Sequence, residues 1–301
     1  MIDGFTLDGK DLGDTLWGEG IYAEANNLSV KNNIIKNFMQ IGIRNSAAWG
    51  GPYFTGVLIE NNKVISDVAG RYFTYSGIYL QGTHGAVRGN VVESAYRGIQ
   101  IQPYTHPSTE LGIVEYNSFS AYKSPIYFNY SESATSNWIF RNNVAIGIAS
   151  LEASPVDYFS GIEVRTFYSG NVVFDKNQIY LGTADGTVNY LYKETEPLGG
   201  TSSATPNWWG SATGPAAGTF VGEAQYLPYC LDPECKQLSQ AKLSMDPATI
   251  DALTCGPQYV DVMVTDVADL TAYTMQVTFD KTKVHVDSVV NGGFLHKTDN
   301  S

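Results

Sequence analysis

The sequence predicts an all-β chain in which a right-handed parallel β-helix is followed by part of an antiparallel β-sandwich. Three observations support this prediction. A short pattern built around asparagine recurs six times, a second pattern built around glycine alternates with it, and the apolar spacing that marks helices is hard to find. Glycine (30 residues) and tyrosine (20 residues) are also abundant, a composition that favours tightly turned β-structure over helices.

The asparagine pattern places one apolar residue three positions before an asparagine and another two positions after it. Its asparagines are Asn33, Asn62, Asn90, Asn117, Asn142 and Asn177, spaced 29, 28, 27, 25 and 35 residues apart. Unrelated asparagines could each end a strand in a left-handed turn. The regular spacing instead favours a ladder, in which each side-chain amide bonds the equivalent amide of the next repeat, roughly 4.8 Å away.

The glycine pattern is a glycine followed by an apolar residue, any residue and a second apolar residue, here called GIxI. It occurs as GIYA (20–23), GIYL (77–80), GIQI (98–101) and GIEV (161–164), with PIYF (125–128) and GIRN (42–45) as partial matches. Strands this short cannot bury their apolar faces alone, so the repeats must stack. A propeller needs longer repeats and a leucine-rich repeat needs its consensus leucines, whereas chain chirality favours a right-handed coil.

The motif TPNWWGSATGP (205–215) follows the last repeat. With these repeats, residues 1–215 resemble the right-handed parallel β-helix superfamily that includes pectate lyases and many surface repeat proteins. An NWWGS run followed by GP is similar to the segment that often closes such helices. We therefore expect Trp208 and Trp209 to cap the open end of the apolar core, and Gly210, Gly214 and Pro215 to turn the chain away.

Beyond this motif the character of the sequence changes. Residues 216–246 contain proline, two close cysteines and little periodicity, and we interpret them as a linker or clasp. Residues 247–301 have an antiparallel pattern in VDVMV (260–264), YTMQVTFD (273–280) and VHVDSVV (284–290). This segment resembles the beginning of a cohesin-like β-sandwich, which implies docking to a partner protein if the domain is complete. Cys230 could pair with Cys235, leaving Cys255, although other pairings are open.

Charge and composition exclude several functions. The formal net charge is −12 and no Lys/Arg cluster is found, so nucleic acid and anionic lipid are poor partners, and neutral or cation-bridged glycans fit better. No apolar run is long enough to span a membrane. IDGFTLDG already has a strand pattern, so we expect the chain to start within a repeat of a longer protein. Together with the cysteines, this favours an extracellular or cell-surface location.

Strand alternation predicts that the third GIxI position faces away from the core. This first column is Tyr22, Arg44, Tyr79, Gln100, Tyr127 and Glu163. A second column, two residues further on, is Glu24, Ser46, Gln81, Gln102, Asn129 and Arg165. Insertions at 45–55, 66–76, 103–112, 129–137 and 150–160 would wall these columns into a groove. Their aromatic residues are Trp49, Tyr53, Phe54, Tyr72, Phe73, Tyr75, Tyr104, Tyr130, Tyr158 and Phe159.

Such a groove suits polysaccharide, because aromatic rings match the apolar faces of sugars and amides match their hydroxyl groups. The predicted binding residues are Tyr22, Arg44, Tyr79, Gln81, Gln100, Gln102 and Asn129. Tyrosines that simply pack on their own scaffold are the structural alternative.

Enzymes that resemble this chain often use the same face, which makes Glu163, Arg165 and Tyr127 candidate catalytic residues. Glycoside hydrolysis needs two carboxylates within roughly 5–9.5 Å, and Asp157 is the possible partner of Glu163. β-Elimination needs a base beside a cation that neutralises a carboxylate. Solvated surface residues are the simpler interpretation.

We predict no cofactor and no metal site. His84 and His106 could stack on neighbouring repeats, but they lack a third ligand. Asp8, Asp11 and Asp14 lack the spacing of an EF-hand loop. The sequence therefore leaves three functional hypotheses: a polysaccharide-binding module, a polysaccharide lyase or glycoside hydrolase on the same groove, and a structural stalk or adhesin.

Overall fold

The computed structural model describes residues 1–10, 18–47, 53–66, 73–103, 110–150, 156–195, 201–239, 242–246, 261–265, 285 and 288. In these residues the chain forms β-strands and turns and contains no helix, as the sequence predicts. The chain divides into two compact units, Met1–Gln240 and Ala241–Ser301.

The first unit consists of three stacks of parallel strands, which we name A, B and C. Stack A contains Ile2–Asp3, Ser29–Lys31, Phe54–Glu60, Thr83–Arg88, Leu111–Glu115 and Thr201–Ser203. Stack B contains Thr6–Asp8, Ile34–Lys36, Lys63–Ile65, Val144–Gly147 and Gln178–Tyr180. Stack C contains Glu19–Ala23, Ile41–Ser46, Phe73–Gln81, Val188–Glu194 and Phe220–Val221.

Three longer strands run across the corners between stacks. Val91–Gln102 passes from B to C, Ser118–Arg141 passes from B through C to A, and Tyr158–Asp175 passes from C to A. The chain thus visits A, B and C in order and then pairs, in parallel, with the strand one repeat earlier. Alternate residues of all three stacks point to a single apolar core, which is built mainly from Ile, Val, Leu and Phe.

A continuous asparagine ladder runs along the corner between stacks A and B. Its members are Asn33, Asn62, Asn90, Asn117, Asn143, Asn177 and Asn207, all at most 2% exposed. At each step the backbone N–H and the Nδ2 group of one asparagine donate to Oδ1 of the next, at 2.8–3.0 Å. Nδ2 also donates to a backbone carbonyl, for example from Asn90 to Ile59 O at 2.9 Å.

The ladder corrects one predicted position, because Asn143 and not Asn142 is a member. Two consecutive asparagines satisfy the sequence pattern in different registers, and Phe140 pairs with Phe174 so that Asn143 aligns with Asn177. Asn142 occupies the preceding turn with φ 54°, in the left-handed region. The two roles considered for these asparagines, turn former and ladder member, are therefore filled by neighbouring residues.

The glycine pattern is explained by close packing at the corner between stacks B and C. A Cβ atom on Gly77 would lie closer than 3 Å to Cγ1 of Val92, and one on Gly42 would meet Cγ1 of Val64 in the same way. Val64 and Val92 each lie two residues after a ladder asparagine. The two sequence patterns are therefore coupled, because the apolar residue of one fills the space that the glycine of the other leaves.

A column of alternating charge runs along the outside of stack A. In register, its members are Asp3, Lys31, Glu60, Arg88, Glu115, Arg141 and Asp175. Ion pairs join Lys31 to Glu60 at 3.3 Å, Arg88 to Glu60 at 2.6 Å and Arg141 to Glu115 at 2.8 Å. Exposed pairs contribute little each, but a shift by one level would place like charges together, so the column favours a single register.

The end of the first unit is closed by aromatic residues, which modifies the predicted cap. Trp209 is buried in the core and packs edge-on against Phe220, which also contacts Tyr226. Trp208 instead is half-buried, lies outside this core and bridges to Gln178 of stack B. Only one tryptophan of the pair therefore caps the core, because consecutive residues of a strand point to opposite sides.

Residues that follow the cap pack on the same unit. Leu227, Tyr229 and Leu231 contact the core, and the Cys230 backbone N–H donates to Asn207 O at 2.9 Å. The predicted disulfide between Cys230 and Cys235 is present, whereas Cys255 lies outside the described residues.

In the second unit, Lys242–Asp246 pairs antiparallel with Asp261–Thr265. The second strand matches the predicted strand VDVMV. The other two predicted strands, 273–280 and 284–290, lie outside the described residues apart from His285 and Ser288. The sandwich therefore stays a prediction.

His84 lies in stack A between two aromatic rings. Its ring is 5.0 Å from that of Tyr53 and 5.0 Å from that of Trp138, on which it stacks, and it is 1% exposed. Burial lowers the pKa of His84 to about 4. The native fold thus holds this imidazole in its neutral form at neutral pH.

The asparagine assignment predicts opposite outcomes for two neighbouring substitutions. Asn143→Leu removes the acceptor of two Asn117 donors and the donor to Val114 O, and should lower the free energy of unfolding by at least about 3 kcal/mol. Asn142→Gly retains the left-handed turn and should change the free energy of unfolding by less than about 1 kcal/mol. Urea unfolding of both variants measures this, and equal losses would contradict the assignment.

The His84 environment predicts a loss of stability in mild acid. The pKa of His84 is lower in the folded chain than in the unfolded chain. The stabilisation that the neutral imidazole provides is therefore fully present above pH 6.5 and is lost as pH falls towards 4, because the unfolded chain binds the proton first. The total loss should be about 3 kcal/mol. Urea unfolding of the wild type and of His84→Phe gives the free energy of unfolding of each protein between pH 7 and 4. The wild type should lose more stability than the variant over this range, and an equal loss in both would contradict the prediction.

Candidate ligand-binding face

The first column of predicted binding residues lies on the outside of stack C, and most of it is covered. Tyr22 is 52% exposed and Arg44 is half-buried, but Tyr79, Gln100, Tyr127 and Glu163 are at most 4% exposed. Alternation therefore placed these side chains correctly outside the apolar core. The expected exposure to solvent is wrong for the last four.

Neighbouring side chains of the same face provide the cover. Tyr75 packs edge-on against Tyr79 with its ring 5.5 Å away, and its hydroxyl group accepts a hydrogen bond from Gln100 Nε2 at 3.2 Å. The Arg97 guanidinium lies 4.0 Å above the Tyr127 ring. The hydroxyl group of Tyr158 donates to Glu163 Oε1 at 2.7 Å. The face is thus a layer of polar and aromatic residues over the strands.

The second column forms the accessible rim of this layer. Gln81, Gln102, Asn129 and Arg165 are half-buried, whereas Ser46 is buried and Glu24 is exposed. The first column holds several of these side chains in place. Tyr79 OH donates to Gln102 Oε1 at 2.5 Å, Arg44 donates to Gln81 Oε1 at 3.3 Å, and Arg165 donates to Tyr127 OH at 3.3 Å.

Arg44 organises the end of the face nearest the N-terminus. It forms an ion pair with Glu19 at 2.9 Å, and its guanidinium lies 5.1 Å from the Tyr22 ring and 5.4 Å from the Tyr79 ring. A hydrogen bond also joins Ser46 to Gln81. The charge of Arg44 is compensated by Glu19, and the carboxylate of Glu24 accepts a hydrogen bond from Tyr22, so this end of the face has no excess of positive charge.

The predicted catalytic residues come together near the middle of stack C. Tyr127 pairs in register with Glu163, and Asn129 pairs with Arg165. Glu163 is 1% exposed and accepts hydrogen bonds from Ser124 at 2.7 Å and from Tyr158 at 2.7 Å. Asp157, the proposed second carboxylate, is exposed. The two acids therefore occupy different environments.

Burial and the nearby carboxylate shift the tyrosines of this region. Burial, with the charge of Glu163 as a second cause, raises the pKa of Tyr158 well above its ordinary value. Burial also raises the pKa of Tyr127, against the opposing effect of Arg97. Both hydroxyl groups are thus held protonated at neutral pH and act as hydrogen-bond donors or acceptors, not as anions.

Sequence reasoning missed two lysines beside Tyr158. Lys123 Nζ lies 3.1 Å and Lys193 Nζ 3.3 Å from the centroid of the Tyr158 ring. Burial lowers the pKa of Lys123 to about 8, partly offset by Glu163, and burial also lowers the pKa of Lys193. Lys193 continues the first column in register with Glu163, but its strand lacks the glycine that marks GIxI.

Arg97 was also missed, although it directly precedes the glycine of GIQI. Its guanidinium lies 4.8 Å from the Tyr96 ring and 5.6 Å from the Tyr75 ring, and it donates to Gln100 at 3.5 Å. Nε of Arg97 is buried without a hydrogen-bond partner, and so is Nε of Arg44. A search for charged residues just before each GIxI glycine would have found it.

The predicted groove walls are only partly described. Trp49, Tyr72, Tyr104 and the side chain of Tyr130 lie outside the described residues. Phe54, Phe73 and Phe159 are buried, and Tyr53 packs on His84 of stack A. Tyr75 and Tyr158 lie within the strands Phe73–Gln81 and Tyr158–Asp175 and contact the first column from there, not from loop walls.

Most of the remaining predicted polar residues lie outside the part of the chain that the structure describes. His106, Asp11 and Asp14 lie outside the described residues, and Asp8 accepts a hydrogen bond from Asn37 and pairs with Lys36. Within the described ranges, no group of three His, Cys, Asp or Glu side chains is arranged to hold a metal ion.

Comparison with protein-family models, with curated proteins and with solved structures gives no match. Of the residues that the structure describes, none belongs to a helix that is long and apolar enough to cross a membrane.

Proposed function

We propose that the chain binds polysaccharide along the outer face of stack C, and that its first unit is a right-handed parallel β-helix. One observation carries the functional proposal: in a line of half-buried amide and guanidinium groups, Gln102 and Arg165 are held by hydrogen bonds to the buried tyrosines Tyr79 and Tyr127. Preorganised polar groups bind sugar hydroxyls without first losing conformational freedom.

The periodicity of the face supports a polymeric ligand. Gln81 and Gln102 occupy equivalent positions of consecutive strands, as do Asn129 and Arg165. Strands in a parallel stack repeat about every 4.8 Å. The same kind of donor and acceptor therefore recurs at a constant interval, which suits a ligand that also repeats.

The proposal places the molecule outside the cell or on its surface. A disulfide between Cys230 and Cys235 is typical of oxidising compartments, which supports that location. The cohesin-like resemblance of residues 247–301 adds a protein partner to the proposal, on condition that the sandwich is complete.

Removing rim amides should weaken binding of whichever polysaccharide a glycan array identifies. Gln102→Ala combined with Asn129→Ala removes two hydrogen-bonding groups and should raise Kd at least tenfold, since each bond contributes about 1 kcal/mol. Gln178→Ala, a half-buried amide of stack B, is the matched control and should leave Kd unchanged. Isothermal titration calorimetry measures Kd for the wild type, the double variant and the control.

Two outcomes would contradict polysaccharide binding along stack C. Equal weakening in the control would show that the effect is not local to stack C. If the protein binds no glycan on the array, the stalk or adhesin hypothesis would be favoured instead.

β-Elimination on the same face is a second candidate, favoured by Lys123. A lysine with a pKa of about 8 is partly neutral near physiological pH and can accept a proton. Arg97 and Arg165 would neutralise the neighbouring carboxylate of a uronic acid, as this reaction requires. Glycoside hydrolysis by Glu163 has weaker support, because two hydroxyl groups already occupy its carboxylate.

An assay for unsaturated products tests this candidate. If the chain is a lyase, incubation with acidic polysaccharides should increase the ultraviolet absorbance, because the unsaturated product contains a conjugated double bond. Lys123→Met should then abolish turnover, while Lys63→Met, which changes an exposed lysine of stack B, should not. Binding without product formation would reject the enzyme and retain the binding module.

A further inference from the structure

Four cations lie together near the middle and far end of stack C without carboxylate partners. They are Arg97, Lys123, Arg165 and Lys193. In the described part of the chain, no carboxylate oxygen lies within 4 Å of any of their side-chain nitrogens, the distance at which the other ion pairs form. Their contacts are with tyrosine rings, the Tyr127 hydroxyl group and Gln100.

Cations elsewhere on the first unit differ from these four. Lys31, Lys36, Arg44, Arg88 and Arg141 each form an ion pair. Lys10, Lys63, Lys176 and Lys236 are exposed to solvent. Exposed cations need no partner, but Lys123 is 7% exposed and the other three of the cluster are half-buried. Leaving one buried and three half-buried cations without an ion-pair partner is costly, so this arrangement requires an explanation.

The local acids compensate only part of this charge. Glu163 is the buried acid of the cluster, and both of its oxygens accept hydrogen bonds from Ser124 and Tyr158. Asp157 acts on Lys123 at longer range and is exposed. Four positive charges against two negative ones leave an excess of positive charge, although the whole chain has a net charge of −12.

We propose that these four cations form an anion subsite, and that the ligand is a glycan whose sugars carry sulfate or phosphate esters. This inference rests on the proposed polysaccharide binding and specifies the ligand class. The excess charge is matched by one doubly charged phosphate monoester or by two sulfate esters on one sugar, whereas the single carboxylate of a uronic acid residue would leave part of it uncompensated.

The two ends of the face would then bind different parts of the ligand. Arg44 is compensated by Glu19 and Glu24 adds a negative charge, so the amides near Arg44 contact uncharged hydroxyls. The ester groups lie further along stack C, beside Tyr158. Because the net charge of the chain is −12, a local excess of positive charge at this cluster attracts and orients a polyanion.

Three polymers with one backbone test the proposal: dextran, carboxymethyl-dextran and dextran sulfate, titrated into the full chain by calorimetry. Dextran sulfate should bind at least tenfold more tightly than carboxymethyl-dextran, and its affinity should fall as salt rises. Lys193→Gln and Arg97→Gln should each weaken it about tenfold. Lys63→Gln and Lys176→Gln, exposed lysines on other surfaces, are the controls and should not.

The possible outcomes separate this inference from the proposed function. Equal affinity for the two charged polymers would overturn the ester assignment. Binding of neutral glycan with no preference for charge would overturn the anion subsite but retain polysaccharide binding. A loss of affinity for dextran sulfate in the control variants would show non-specific attraction and would also overturn the anion subsite. Thermal unfolding of Lys193→Gln, whose side chain is half-buried, confirms that a loss of affinity is not a loss of fold.

Discussion

The fold of the first unit depends on buried side-chain amides that bond to one another in register. An asparagine side chain at each level satisfies backbone and side-chain groups above and below it, so the buried side-chain amides of the ladder have hydrogen-bond partners. A single misplaced level would leave several such groups without hydrogen bonds in an apolar environment. The ladder therefore selects one alignment of the stacked strands, and the alternating charges on stack A favour the same alignment.

This alignment decides what the outer face of stack C can do. With the register set, equivalent positions of successive strands form straight columns, and tyrosines, amides and cations collect on one side. Tyr79 and Tyr127 then hold the accessible side chains of the next column. The result is a polar surface on regular strands, which position side chains more precisely than a loop would.

Charge on this face is distributed unevenly in a way that net charge does not indicate. An overall charge of −12 favours uncharged ligands at the level of composition. Lys123 and Lys193 come from strands about seventy residues apart and meet at one tyrosine ring, beside Arg97 and Arg165. Local potential depends on such three-dimensional proximity, so an acidic chain presents a cationic patch.

The sequence alone determined the all-β class, the repeat length, five of the seven ladder asparagines and the side of the strands on which the candidate residues lie. These follow from short-range rules, namely strand alternation and the recurrence of one pattern. Tertiary structure alone decided that Asn143 replaces Asn142, that Trp209 and not Trp208 joins the core, and that Tyr75, Arg97 and Tyr158 cover the first column. Those outcomes depend on pairing register and on contacts between distant strands, which a local pattern does not contain.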